Sequence, residues 1–249
     1  MQRKRWVALG LIALVGLGGA VVMAQTGRQT RTETPTGRET DIGLSGFGAF
    51  TGATASLNNG DESQRATSSG GGMLEFRHIR NAFVGFEGTY SLQQANQVYN
   101  FTGAFPLIPV GTGPASPGAP VQTSVSAMTH ELTGDWVVSS RLTKSLRFFA
   151  LAGVGVRITV PTNSPSGSQT TTSSTPSYIY GFGADWEFLR HIGLRAQYRG
   201  DIHRMPAVAS ALVLPYSTSP VLPGAPTPLS SPSSFEHDAE PMIGLYYRF

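Results

Sequence analysis

The chain of 249 residues has few side chains of the kind that do chemistry: five histidines, many serines and no cysteine. The histidines are His78, His130, His191, His203 and His237. No serine stands in a Gly-x-Ser-x-Gly elbow, no histidine belongs to a His-Glu-x-x-His zinc motif, and no glycine loop has the pattern that cradles phosphate. The sequence therefore predicts no enzymatic activity, no metal site and no cofactor.

One Asp/His arrangement remains as an alternative. Asp201 and His203 fall near the end of one predicted strand, and His237 and Asp238 fall at the start of another. This alternative is an omptin-like Asp/His protease site at the rim, although omptins have larger barrels. We expect instead that all five histidines are interfacial or rim residues. His130 and its neighbour Glu131 point to opposite faces of a strand, so they cannot act as a dyad.

Eight segments alternate between apolar and polar residues with a period of two, which is the signature of a strand with one apolar face. They lie at about 41–51, 70–79, 82–93, 124–139, 146–159, 177–189, 192–203 and 237–249. The connections alternate between short ones, at 78–82, 140–145 and 189–191, and long ones, at 52–69, 94–123, 160–176 and 204–236. Short turns on one side and long loops on the other are typical of a membrane-spanning barrel. The sequence predicts an all-β fold, a transmembrane up-and-down antiparallel β-barrel of eight strands with short periplasmic turns and long extracellular loops.

The charged residues share one parity of these strands. They are Glu75, Arg77, Glu87, Glu131, Asp135, Arg147, Arg157, Asp185, Glu187, Arg195, Arg199, Asp201, Glu240 and Arg248, and Asp41 has the same parity. A basic residue at the midplane of the lipid face costs about 2–4 kcal/mol, and eight strands enclose a lumen that side chains just fill. We therefore expect a lumen packed with Arg–carboxylate pairs. The alternative is a soluble, lipocalin-like barrel with the charges in water.

The opposite parity carries aliphatic and aromatic residues. We expect an aromatic girdle of Trp136, Tyr178, Tyr180, Trp186, Tyr198, Tyr247 and Phe249 at the two membrane interfaces. Tyr246 is also interpreted as an anchor of this girdle.

The first 24 residues predict a secretory signal peptide. The basic segment Met1–Arg5 precedes the apolar stretch Trp6–Met23. The small residues Val22 and Ala24 form a cleavage site. A membrane anchor helix is the alternative interpretation. Residues 25–39 are predicted to form a flexible periplasmic leader, and residues 40–249 are predicted to form the barrel. The signal peptide holds three of the 18 basic residues, so 15 basic residues face 15 acidic ones in the remainder. This neutral balance argues against nucleic-acid binding.

In the last ten residues, the apolar side chains Ile243, Leu245, Tyr247 and Phe249 occupy every second position. With Gly244, the pair Tyr247 and Phe249 resembles the C-terminal assembly signal of bacterial outer-membrane barrels. Met242 departs from that signal, which usually has a polar residue there. An ordinary apolar edge strand is the alternative.

The stretches 147–158 (RFFALAGVGVRI), 180–199 (YGFGADWEFLRHIGLRAQYR) and 246–249 (YYRF) resemble the OmpA-type, opacity-protein-like family of eight-stranded outer-membrane barrels, over about residues 40–249. The resemblance implies a place in the outer membrane of a Gram-negative-type envelope, with outer-membrane lipid around the barrel. It also implies recognition of the C-terminal strand by the barrel-assembly machinery. Because the sequence ends with the barrel, we do not expect the peptidoglycan-binding role that many members have in a further domain.

Two functions remain at this point. The first is a structural or surface-interaction role, in which long Pro/Ser/Thr-rich loops meet an extracellular partner. The second is a small porin-like channel for ions or small solutes. Its path would follow the inward glycines, Gly153, Gly155, Gly181 and Gly183.

Overall fold

The computed structural model describes residues 38–57, 62–81, 83–101, 121–212, 227–229 and 234–249. The predicted signal peptide and residues 25–37 of the predicted leader lie outside these ranges. Within them, no helix is long and apolar enough to cross a membrane.

Eight long antiparallel strands form a closed barrel: β1 (Glu39–Thr51), β4 (Ser69–Ile79), β5 (Val84–Phe101), β6 (Val121–Arg141), β7 (Leu146–Asn163), β9 (Ser173–Glu187), β10 (Ile192–Arg204) and β13 (Phe235–Arg248). Each pairs with its neighbour in sequence, and β13 closes the ring by pairing with β1, as in Ile42 opposite Tyr247. The predicted eight-stranded barrel is confirmed.

Five short strands were not predicted: β2 (Ala55–Leu57), β3 (Glu62–Ala66), β8 (Gln169–Thr170), β11 (Ala209–Leu212) and β12 (Thr227–Pro228). They lie within the long connections, where Ser, Thr and Pro obscure any alternation. The ladder between β5 and β6 also continues to Phe101 opposite Val121, past the predicted strand end at residue 93. The barrel wall is therefore extended on the loop side.

The side chains are arranged inside out relative to a soluble protein. On the outer wall, Leu44 and Trp136 are each 68% exposed, whereas Glu75 and Arg77 are buried in the lumen. Apolar residues that face outward around a charged interior are the architecture of a transmembrane barrel of the outer-membrane type. The lipocalin-like alternative is wrong, since it requires the aromatic residues to form the core.

The lumen also contains apolar side chains, which the prediction of ion pairs did not include. One cluster consists of Ile79, Val137, Phe149, Leu151 and Ile179. A second consists of Phe47, Ala49, Met73 and Met242. These residues share the parity of the charges and fill the space between them.

Replacing Leu44 by Arg should lower the free energy of unfolding by about 2–4 kcal/mol, because the new charge would face lipid. Leu142 is the matched control, since it is 69% exposed in the β6–β7 turn. Leu142→Arg should change the stability by less than about 0.5 kcal/mol. Urea unfolding from lipid vesicles measures both values, and equal effects would contradict a lipid-facing wall.

Candidate functional site

The lumen holds two clusters of ion pairs. The one nearer the turns, the turn-side cluster, centres on Arg195, which is 1% exposed. Its guanidinium donates to Glu75 Oε2 at 2.5 Å, to Asp185 Oδ1 at 2.8 Å and to Asp41 Oδ1 at 3.0 Å. Arg77 joins the cluster through Glu87 Oε2 at 2.5 Å and Asp185 Oδ2 at 3.2 Å. The planar, multidentate guanidinium lets one arginine join carboxylates from three strands.

An aromatic ring completes the turn-side cluster. The Cζ atom of Arg77 lies 3.9 Å from the centroid of Phe149, and that of Arg195 lies 5.6 Å from it. Both distances suit a cation–π contact. The ring takes the space beside Gly183, where a Cβ would lie 2.6 Å from Phe149 Cζ. The glycine therefore makes room for the aromatic ring.

The second cluster, the loop-side cluster, centres on Arg157 and Arg199. Arg157 Nη1 donates to Asp201 Oδ2 at 2.5 Å and to Asp238 Oδ2 at 3.0 Å. Arg199 pairs with Glu131 and, at 3.2 Å, with Glu240 Oε2.

His203 belongs to the loop-side cluster. It is 1% exposed, with Nδ1 3.2 Å from Asp201 Oδ2 and Nε2 3.4 Å from Glu236 Oε2. The expectation of a rim or interfacial histidine is wrong for His203, because it shares the inward parity of Asp201. His237, in contrast, faces outward, so the four side chains of the hydrolytic alternative do not converge.

Smaller ion pairs close the turn end of the lumen. Glu39 pairs with Arg141 and Arg147, and its Oε2 lies 3.5 Å from Arg248 Nε. Arg248 also donates to Glu187 Oε2 at 2.6 Å.

All fourteen residues predicted for the lumen network occupy inward positions, with Glu187 and Arg248 at the turn end. Sequence reasoning missed Glu39, Glu236 and Asp238, although the last two share the parity of Glu240 on the same strand. Including them and Arg141, which ends β6 at the inward parity, the described barrel strands turn twelve carboxylates and seven arginines inward. The carboxylates are Glu39, Asp41, Glu75, Glu87, Glu131, Asp135, Asp185, Glu187, Asp201, Glu236, Asp238 and Glu240. The lumen is therefore acidic overall.

Two groups in the loop-side cluster have donor atoms close enough to share a cation. They are Asp201 with His203 and Asp238, and Glu131 with Asp201 and Glu240. An arginine already donates within each group, so we interpret both as parts of the ion-pair network.

The barrel mouth is covered on the loop side by residues 205–212. This segment leaves β10, which lies diametrically opposite β5 in the ring of eight strands. Val208 and Leu212 nevertheless pack against Tyr99 and Phe101 of β5, together with Val125 and Ala127 of β6. To reach that wall, the segment has to cross the mouth.

Hydrogen bonds hold the covering segment on both sides. The Pro206 carbonyl accepts from Gln64 Nε2 at 3.0 Å, and Val208 O accepts from Thr171 N at 3.0 Å. Beneath Pro206 lies a cavity lined by Arg157, His203 and Asp238. The volume of this cavity is about 20 Å³, which is room for about one water molecule.

The residues predicted for the girdle lie on the outer wall. Trp136, Trp186, Tyr247 and Phe249 lie toward the turns, and Tyr178, Tyr180 and Tyr198 toward the loops. Tyr246 does not belong to the girdle, since it is 2% exposed and packs beside Arg195 in the lumen. Of the predicted C-terminal signal, Tyr247 and Phe249 face outward, whereas Gly244 faces inward next to Ser45.

No family model matches the chain, and no curated protein matches it. Among solved structures, it is similar to Ail, the attachment invasion locus protein of Yersinia pestis, in complex with the heparin analogue sucrose octasulfate, at 14% identity and a TM-score of 0.43 over 86% of this chain and 98% of that chain. It is similar to the outer membrane protein OprG from Pseudomonas aeruginosa at 11% identity and a TM-score of 0.49, over 85% and 96%. It is also similar to the outer membrane protease OmpT from Escherichia coli at 8% identity and a TM-score of 0.40, over 89% and 99%. At these values the likeness carries no conclusion about activity.

Replacing Arg195 by Met should destabilise the barrel by about 3–5 kcal/mol, because Asp41 and Glu75 lose their arginine and Asp185 keeps only Arg77. Arg190→Met in the exposed β9–β10 turn is the control and should cost less than about 0.5 kcal/mol. Urea unfolding in vesicles gives both values. A cost for Arg195→Met as small as that of the control would contradict a stabilising role for the cluster.

Proposed function

We propose that this protein is an outer-membrane barrel with a structural or surface-interaction role, in which the barrel anchors and presents its loop end. The observation that carries the proposal is the closure of the barrel interior. The ion pairs and apolar clusters fill the lumen, and residues 205–212 cross its mouth. A barrel without an aqueous path can still act through the surface that it displays.

The charge distribution supports the loop end as that surface. Three of the four long connections lie within residues 88–129, 158–184 and 205–235, which contain no Asp, Glu, Lys or Arg, whereas the connection after β1 carries Asp61, Glu62 and Arg65. The turn end, in contrast, carries exposed Arg80, Lys144 and Arg190. A neutral surface rich in hydroxyl groups favours a partner that is recognised by hydrogen bonds and apolar contact rather than by charge.

The same proposal includes assembly through the last strand. β13 provides the outward Tyr247 and Phe249 and closes the barrel against β1. We infer that the barrel-assembly machinery recognises this strand before closure and that outer-membrane lipid then surrounds the outer wall.

The channel alternative has a structural obstacle along its glycine path. A Cβ at Gly153 would lie 2.1 Å from Asp135 Oδ1, and one at Gly181 would lie 3.3 Å from a methyl carbon of Leu151. Thr133 and Ser177 occupy the space beside Gly155 in the same way. These glycines accommodate neighbouring atoms rather than open a pore.

The refolded protein should produce no conductance steps in a planar bilayer, because the lumen is filled and its mouth is covered. Insertion is verified separately by the heat-dependent gel mobility shift. Reproducible cation-selective steps that change with Arg157→Gln or Glu187→Gln would overturn the closed-barrel interpretation, since the acidic lumen would then conduct.

Replacing residues 208–228 by a short Gly-Ser linker should leave insertion intact and lower adhesion of cells that display the protein severalfold. The replacement removes the fourth loop, including the segment that packs on Tyr99 and Phe101. A replacement of residues 163–168 in the third loop, tested in parallel, distinguishes the contributions of the two loops. Adhesion that is unchanged in both variants would contradict the surface role.

A further inference from the structure

The outer wall of the barrel carries a single permanently charged side chain at its outward positions. At the outward positions of the eight described long strands, Arg204 is the only residue that is an Asp, Glu, Lys or Arg. It is exposed at the loop end of β10, where the apolar belt ends. A cation at this level meets the headgroups of the surrounding lipids.

Arg204 has a second donor beside it. Arg204 pairs with Phe235 and Ile202 with His237 across β10 and β13, so Arg204 and His237 are diagonal neighbours, about 7–8 Å apart between their Cα atoms. The guanidinium carbon of Arg204 lies 5.6 Å from the centre of the Phe235 ring. Both polar side chains therefore lie on one exposed patch.

A tyrosine orients the histidine. Tyr180 OH lies 2.8 Å from His237 Nε2, and the two rings stack with centroids 5.9 Å apart. Tyr180 reaches β13 by lying across Gly200, where a Cβ would be 2.4 Å from its ring. In the neutral tautomer in which Nε2 accepts from the tyrosine, the imidazole proton is on Nδ1, and this nitrogen is a second donor on the patch.

We infer that Arg204 and His237 bind the phosphate group of a lipid in the leaflet on the loop side. The guanidinium supplies charge-assisted hydrogen bonds to phosphate oxygens, and His237 adds another. The acyl chains would run down the adjoining wall over Tyr180, Phe182 and Ile202, which are exposed there. This inference rests on the proposed insertion in the membrane and is independent of the surface role.

The barrel contains a matched pair that lacks the cation. On the outer wall, Tyr90 OH lies 2.9 Å from His130 Nδ1, with ring centroids 6.3 Å apart. The outward residues next to this pair are Leu92, Leu132 and Ile158, none of them charged. The Tyr–His pair alone should therefore not retain a phosphate lipid.

The test uses the refolded protein in phosphatidylcholine nanodiscs that contain a small fraction of phosphatidic acid, with bound phosphatidic acid counted by native mass spectrometry. Arg204→Gln should weaken its retention about fivefold, since one basic residue near a membrane surface contributes about that factor. Tyr180→Phe should weaken it less, because it removes only the bond that orients His237. His130→Gln, and Arg190→Gln at the turn end, should leave retention unchanged.

Each other result is decisive. The site would be overturned if the Arg204→Gln variant retained phosphatidic acid within twofold of the unsubstituted protein. It would also be overturned if Arg190→Gln lost as much bound phosphatidic acid as Arg204→Gln. Displacement by millimolar inorganic phosphate would assign a free-anion site instead, because the acyl contacts would then contribute nothing. If the unsubstituted protein does not insert, as shown by a missing gel shift, the membrane role is overturned. If it inserts but does not prefer phosphatidic acid, only this site is overturned.

Discussion

Burial of guanidinium groups is the constraint on which the barrel depends. A charge removed from water is costly unless it is paired and fully hydrogen-bonded. Arg195 meets this requirement with Asp41 from β1, Glu75 from β4 and Asp185 from β9. One side chain therefore couples four strands across the lumen. A slip of one residue in β1, β4 or β9 would turn its carboxylate toward lipid and remove one of the three partners of the arginine.

The acidic excess of the lumen is offset in part by neutral donors. Ser45 donates to Glu75 Oε1 at 2.8 Å, Thr133 to Asp135 Oδ2 at 2.8 Å, and Thr51 to Glu236 Oε1 at 2.5 Å. Each bond favours the charged form of a carboxylate that has no arginine to itself. The lumen thus works as a polar core, in which hydroxyl groups and aromatic rings add contacts to those of the seven arginines.

Placing the charges inside has consequences at both surfaces. The outer wall becomes almost uniformly apolar, so an outward residue such as Arg204 stands out as a contact with headgroups. The interior becomes too full to hold more than about one water molecule beneath the covering segment. What the protein can offer to other molecules is then its loop end and its wall.

The sequence by itself determined the eight strands and which face of each is apolar, because alternation with period two is a local property that the chain carries in every segment. For the same reason it placed Arg77, Arg157 and Arg195 in the lumen, although it assigned Tyr246 to the wrong wall when aromatic character was weighed above parity.

Only the tertiary structure decided which partners meet. The stacking of Phe149 on Arg77, the reach of Tyr180 over Gly200 to His237, and the crossing of residues 205–212 to the far wall join side chains that are distant in sequence. Their contacts depend on strand register and barrel closure, which no local pattern encodes.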